Sequence, residues 1–155
     1  MDCDIDEGVL QFIRLIIRFN QEDKEIKDYS KRKPIRIYIT SYGGSVDVGN
    51  ALISAIQLSK TPVYVYGIGP IASMAALIFI SGHKRYALPM SSFLIHQGSA
   101  SLGGNMGSVL DTADNFKRLE ADVKKYILSR TKIDSKLYAK KVKTEWYLTP
   151  EEALE

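Results

Sequence analysis

Apolar residues recur at threes and fours through EGVLQFIRLIIRFNQED, at Val9, Phe12, Ile13, Ile16 and Ile17, the spacing of one helical face. The charged, proline-ended run KEIKDYSKRKP has no such period and reads as a loop. In IRIYIT the period shortens, β-branched residues alternating with Arg and Tyr, and predicts a strand that SYGG then breaks. DVGNALISAIQLSK returns to the helical period, with Val48, Leu52, Ala55 and Ile56 on one face. Asp47 falls in its first turn, where a carboxylate suits the positive helix end. TPVYVYGIG predicts a second strand, opened by Pro62 and closed by its glycines.

Strand, helix, strand, with this many residues between the strands, predicts a parallel crossover. The pattern then repeats. A short apolar helix near Ala72 to Ser81 is followed by two strand-like runs, KRYALP and SSFLIH. The glycine-rich loop QGSASLGGNMG leads into a long helix marked by Met106, Leu110, Ala113, Leu119, Val123 and Ile127. SKLYAKKV predicts a short helix and EWYLT a short strand. TPEEALE carries a helix start, with Thr149 as N-cap and Pro150 at the first position. A helix begun there is expected to continue and pack, so the chain reads as trimmed at one or both ends. Alternating strands and helices predict an α/β layer fold in a single domain over residues 1–155, without internal repeats.

Composition narrows the class without naming a chemistry. The 155 residues suffice for one core, and 45% hydrophobic with 25% charged residues describes an ordinary globular chain. The net charge of +3 is a mild excess. Its basic runs, KRK at Lys31 to Lys33 and YAKKVK at Tyr138 to Lys143, read as solvated faces, with no nucleic-acid motif beside them. Cys3 is the single cysteine, so no internal disulfide and no thiolate metal site is expected. The apolar run PIASMAALIFI is too short to span a bilayer, and no signal-peptide pattern precedes the first charges. A cytoplasmic location is the expectation.

Candidate chemistry is sparse. His83, in the basic turn GHKRY, has no acid beside it and reads as a surface residue. His96 ends the strand SSFLIH just before a glycine-containing loop, at the strand end where α/β sheets gather ligands and catalytic groups. Ser73 follows GIGPIA, where a strand gives way to a helix. There it would sit beside amides that lack intrahelical acceptors, the parts that hold a nucleophile and stabilise an oxyanion. It would serve equally as a small residue for tight packing, like Ala72 and Ala75, and the residue pattern alone favours packing. The nucleophile-elbow pattern GxSxG is absent. SYGGSV at the end of the first strand is either a tight turn or a turn offering outward amides, and neither a Walker pattern nor GxGxxG occurs.

Taken together and in order, YITSYGGSV, GPIASMAALIFISGHKRYALP and FLIHQG resemble the Clp protease proteolytic subunit (ClpP) family, over roughly Ile35 to Glu155. The Gly-Gly turn is shared more widely with the crotonase-like fold. The resemblance implies a superhelix of βαβ units with a protruding long helix, and a serine endopeptidase using no cofactor or metal. By motif position, Ser73 in ASM matches the nucleophile and His96 in IHQ the general base. The amides of Gly44 and Met74 match the oxyanion donors, and Gly43, Gly98 and Ser99 fall where extended substrate binds. Implied partners are unfolded polypeptides, further copies forming stacked seven-membered rings, and a Clp-type ATPase. Nucleic acid and membrane are not expected.

Two positions depart from that pattern. The family's acid is usually an Asp shortly before an aromatic–Leu–Ser/Thr run, whereas TEWYLTPEEA offers Glu145, with Asp134 and Asp111 as poorer alternatives. A triad histidine without its acid loses its fixed tautomer, at a cost of about four powers of ten in rate. The chain also starts close to its first helix, ahead of which family members carry a pore-forming segment. A divergent, phage-type member would fit both. Competing readings are a crotonase-type acyl-CoA enzyme and a catalytically silent ring subunit. Apolar stripes on the first and the long helix exceed what one small domain hides, and predict a multimer.

Overall fold

The computed structural model describes residues 1–99, 101 and 103–154. Ala100 and Leu102 of the glycine-rich loop, and Glu155 of TPEEALE, lie outside the described residues. The backbone groups into two compact units, Met1–Ile95 together with the chain from Tyr147 onward, and His96–Trp146. Each is taken by itself.

The first unit holds α1 (Leu10–Glu22), β1 (Ile35–Ser41), α2 (Val46–Leu58), β2 (Val63–Ala72), α3 (Met74–Ser81), β3 (Lys84–Ala87) and β4 (Ser92–Ile95). The end of β5 (Trp146–Leu148) belongs to it as well. The sheet runs β1-β2-β4-β5, with β3 also paired to β2. β1, β3 and β4 are all parallel to β2, as the crossover spacing predicts. Ile37, Ile39, Val63, Val65 and Ile71 of the sheet are buried, as are Leu52, Ile53 and Ile56 of α2. α3 is apolar all round, as a helix enclosed on every side should be. Its Phe79 ring lies 5.0 Å from that of Phe93 on β4.

The glycines after VYVY do not end β2. Ile39 pairs with Gly67 and Ser41 with Ile71, so Thr40 alone opposes Ile68, Gly69 and Pro70. Pro70 has no N–H for the ladder, and a Cβ on Gly69 would come 2.6 Å from the Thr40 hydroxyl. The chain therefore bulges. Beyond the bulge β2 pairs with β4, Pro70 with Ser92 through Ala72 with Leu94. That handover carries the strand up to Ser73.

Two surface expectations change. Arg32 of the KRK run is buried, its guanidinium donating to Ile26 O (3.1 Å) and lying 4.7 Å from the Tyr29 ring centroid. On α1, Val9 just before it and Ile16 are buried, while Ile17 is exposed.

The second unit contains α4 (Met106–Arg130) and α5 (Ser135–Lys141). Asn105 caps α4 by accepting from Ser108 N–H (2.9 Å). Ile127 is its one buried residue, whereas Met106 is 74% and Leu110 58% exposed. In the first unit, Thr149 caps as expected and TPEE closes a capping box, but among the described residues no helix follows it. Glu152 N–H donates to Thr149 Oγ1 (3.2 Å) and Thr149 N–H to Glu152 Oε2 (2.8 Å). The described residues continue from there as a turn. No helix among them is long and apolar enough to cross a membrane.

Candidate active site

Ser73 occupies the single residue between β2 and α3. Its backbone, φ 54° and ψ −123°, is the only positive-φ conformation outside glycine among the described residues. Those angles belong to the first central position of a type II′ turn, which glycine normally fills. A side chain there costs about 1–3 kcal/mol and persists only where the surroundings over-determine it. Here they do. Ser73 N–H donates to Leu94 O (3.0 Å), and Ser73 O accepts from Ala76 N–H (3.0 Å) and Leu77 N–H (3.4 Å).

The hydroxyl takes no part in that restraint. Ser45 caps α2 by accepting from Val48 N–H (3.4 Å), but Ser73 does not cap α3 with its side chain. Among the described residues the half-buried Ser73 hydroxyl has no hydrogen-bond partner. A serine kept for packing has no need of a strained backbone, so the packing account weakens at this position.

The Gly43-Gly44 turn lies directly against it. Gly43 (φ 110°) is buried so close that an added Cβ would stand 2.8 Å from Ser73 Cβ, 3.1 Å from Ala72 O and 3.2 Å from Met74 N. Gly44 follows with φ 145°. Met74 opens α3, where the first amides have no intrahelical acceptor and the helix end is positive. The structure thus brings Ser73, Met74 and the Gly-Gly turn together within one unit. Backbone amides beside a free hydroxyl at a helix N-terminus can receive negative charge that develops on an attacked carbonyl oxygen.

The remaining candidates fall in the second unit. His96 starts it, directly after β4, half-buried and with no hydrogen bond to its imidazole among the described residues. Glu145 is exposed and directly precedes β5. Gln97 N–H donates to Val142 O (2.9 Å), tying the chain next to His96 to a point three residues before Glu145. Gly98 packs on α4, where a Cβ would meet Phe116 at 3.3 Å, and Ser99 is exposed. Asp134 is committed to capping α5, its Oδ1 accepting from the N–H groups of Lys136 and Leu137 (both 2.8 Å). Asp111 is exposed on α4. In the first unit, His83 is a structural clamp. Its Nδ1 accepts from Val63 N–H and its own N–H donates to Val63 O, both at 2.8 Å.

The Clp protease family model matches residues 25–155. A relative from Treponema denticola named "ATP-dependent Clp protease proteolytic subunit 2" is 33% identical over 132 residues, 84% of this chain and 66% of that protein. Proteins of the same name are 31% identical in Treponema pallidum (84% and 66%) and 32% identical in Rhodococcus jostii (79% and 64%). The chain spans slightly less than two thirds of the length of these curated relatives. With a match over so much of its length, this chain belongs to the Clp protease family.

Proposed function

We propose that this chain is the proteolytic subunit of a Clp-type ATP-dependent protease, a serine endopeptidase acting on unfolded polypeptides. One observation carries the reading: an unpartnered serine hydroxyl on a strained backbone, pressed against a Gly-Gly turn at a helix N-terminus. Ser73 attacks the peptide carbonyl while His96 accepts its proton. The amides of Gly44 and Met74 receive the oxyanion. His96 then returns the proton to the leaving amine, and water repeats the sequence on the acyl-enzyme. Glu145 holds the His96 tautomer and stabilises the imidazolium. Gly43, Gly98 and Ser99 border the path of an extended substrate. On this reading both units belong to one peptidase domain, cytoplasmic, assembled in stacked rings and fed by a Clp-type ATPase. Family membership supports the assembly and the partner.

Labelling with a fluorophosphonate, together with turnover of a fluorogenic peptide, tests the assignment. Ser73→Ala is expected to abolish labelling and to lower hydrolysis by about six powers of ten, or to the assay floor. Glu145→Gln is expected to lower kcat by up to about four powers of ten, while Asp134→Asn leaves it within a few-fold. Labelling that persists in Ser73→Ala would reject the nucleophile. An unchanged rate in Glu145→Gln would remove that acid from the triad.

A further inference from the structure

The N-terminal segment makes an unusual set of main-chain contacts. Ile5 is 1% exposed and pairs as an isolated parallel bridge with Gly44. Its N–H donates to Gly43 O (2.8 Å), and its own carbonyl accepts from Ser45 N–H (2.7 Å). The main chain of Ile5 therefore grips the peptide groups on both sides of Gly44. The approach is close enough that a Cβ on Gly44 would lie 2.5 Å from Ile5 O and 2.8 Å from Ile5 N. Ile5 is itself held in place: Asp6 next to it caps the following turn, accepting from Gly8 N–H (2.8 Å).

Gly43 O and Gly44 N–H belong to one peptide group. That group is planar and trans, so its C=O and N–H point in opposite directions. Holding Gly43 O against Ile5 N–H therefore turns Gly44 N–H away from the N-terminal segment. Between two glycines the peptide would otherwise turn over readily, since each adopts either sign of φ without steric cost. Such a flip would aim Gly44 N–H at Ile5 N–H, donor against donor, and reverse the direction it now holds.

We propose that Ile5 is a positioning residue of the active site, whose main chain fixes the direction of the Gly44 amide and so keeps the oxyanion turn competent. The inference rests on the oxyanion role assigned to Gly44 above. Ile5 touches no reacting atom, and its effect passes through the peptide plane. It is specific to the transition state, because the amide direction matters once the carbonyl oxygen gains charge and little for binding the extended ground state.

The test removes the donor and keeps the side chain. Suppression of a stop codon at position 5 with the α-hydroxy acid analogue of isoleucine replaces the N–H by an ester oxygen and keeps the side chain. Ile5→Ala keeps the N–H and disturbs the packing instead. Both are made in the full chain and assayed with a fluorogenic peptide, a peptide aldehyde that forms a tetrahedral adduct, and an unreactive peptide amide. For the ester variant, kcat is expected to fall at least about tenfold, short of the ~10²–10³-fold loss that follows deletion of an oxyanion donor. KM and peptide-amide affinity stay within twofold, and aldehyde affinity falls in step with kcat. Ile5→Ala lowers the melting temperature, and its kcat, measured below that melt, falls less than that of the ester variant. Ester-variant kcat within twofold of the parent overturns the inference, as does an equal loss of kcat in Ile5→Ala. In both cases the active parent, labelled at Ser73, leaves the peptidase reading intact. A parent that neither hydrolyses peptide nor labels at Ser73 overturns that reading, and this inference with it.

Discussion

The space around Ser73 leaves no room for a methyl group on the neighbouring turn, and that makes Gly43 a sensitive probe of the site. Gly43→Ala would combine a left-handed φ with a Cβ pressed 2.8 Å from that of Ser73. Backbone of both β2 and α3, Ala72 O and Met74 N, lies within 3.2 Å of it, so relief must move the strained serine or the Met74 amide. The expected outcome is a loss of about 1–3 kcal/mol in denaturant unfolding and a fall in kcat of at least about tenfold, because misplacing reacting groups by a fraction of an ångström is enough. Unchanged kcat in a destabilised protein would separate the turn from catalysis. At this scale the chain's spelling was partly legible. Glycines and a proline ahead of a helical run locate Ser73 at a helix start, because turn and cap preferences are local. Its positive φ is not legible, since it is imposed by Leu94 O and by the Gly43 turn, which lie far away in the chain. The same holds for Ile5, whose role resides in its main chain and leaves no mark on its side chain. Arg32 illustrates the opposite error. Flanked by lysines it reads as solvated, yet Ile26 O and the Tyr29 ring give its guanidinium a place inside.

Among elements, the sheet face turned away from the buried aliphatic residues carries a row of stacked tyrosines. Tyr38, Tyr66 and Tyr86 stand in register on β1, β2 and β3, with ring centroids 5.0 Å and 4.7 Å apart and planes within 22° and 15°. Tyr38 is 49% and Tyr86 41% exposed. Parallel sheets usually bury both faces, so this one must hold an open face by other means. Aromatic pairs across strands do so, and Lys84 adds its ammonium 5.3 Å from the Tyr64 centroid. Tyr66→Ala removes both stacks at once and is expected to cost about 1–3 kcal/mol, read from the denaturation midpoint. Tyr66→Phe keeps the rings and should stay within about 0.5 kcal/mol. Equal losses in the two variants would place the stabilisation in the hydroxyl instead. The alternating pattern of IRIYIT and VYVYG already sets Tyr38 and Tyr66 opposite the aliphatic positions of their own strands. It cannot show that their strands are adjacent and in register, a property of the crossover. The glycines of GIG mislead for a related reason, because a bulge inside a strand and the end of a strand use the same residues.

For the whole molecule, the informative region is the first half of α4. Twenty-five residues are helical, yet burial is reached only at Ile127 near the end, while Met106 and Leu110 stand 74% and 58% exposed at the start. A helix within a protein gains most of its stability from packing an apolar face. Here Met106 and Leu110 of the opening turns are left uncovered by the described residues. On the proposed ring assembly another copy would supply the cover, and that contact repeated around the ring would close the particle. The period of Met106, Leu110, Ala113, Leu119 and Val123 is legible in the spelling, whereas a chain cannot say whether such a stripe meets itself or a neighbour. Sedimentation at micromolar concentration is expected to give a multiple of the 17.4 kDa chain mass. Leu110→Glu would bury a carboxylate in that contact, at a cost far above what the lost apolar area accounts for. It should therefore lower the assembled mass and the peptidase rate together, while the far-ultraviolet signal of the folded subunit persists. A parent sedimenting at 17.4 kDa would reject the assembly outright. An unchanged mass in Leu110→Glu would move the contact elsewhere, to the exposed tyrosine face or to the outer side of α1.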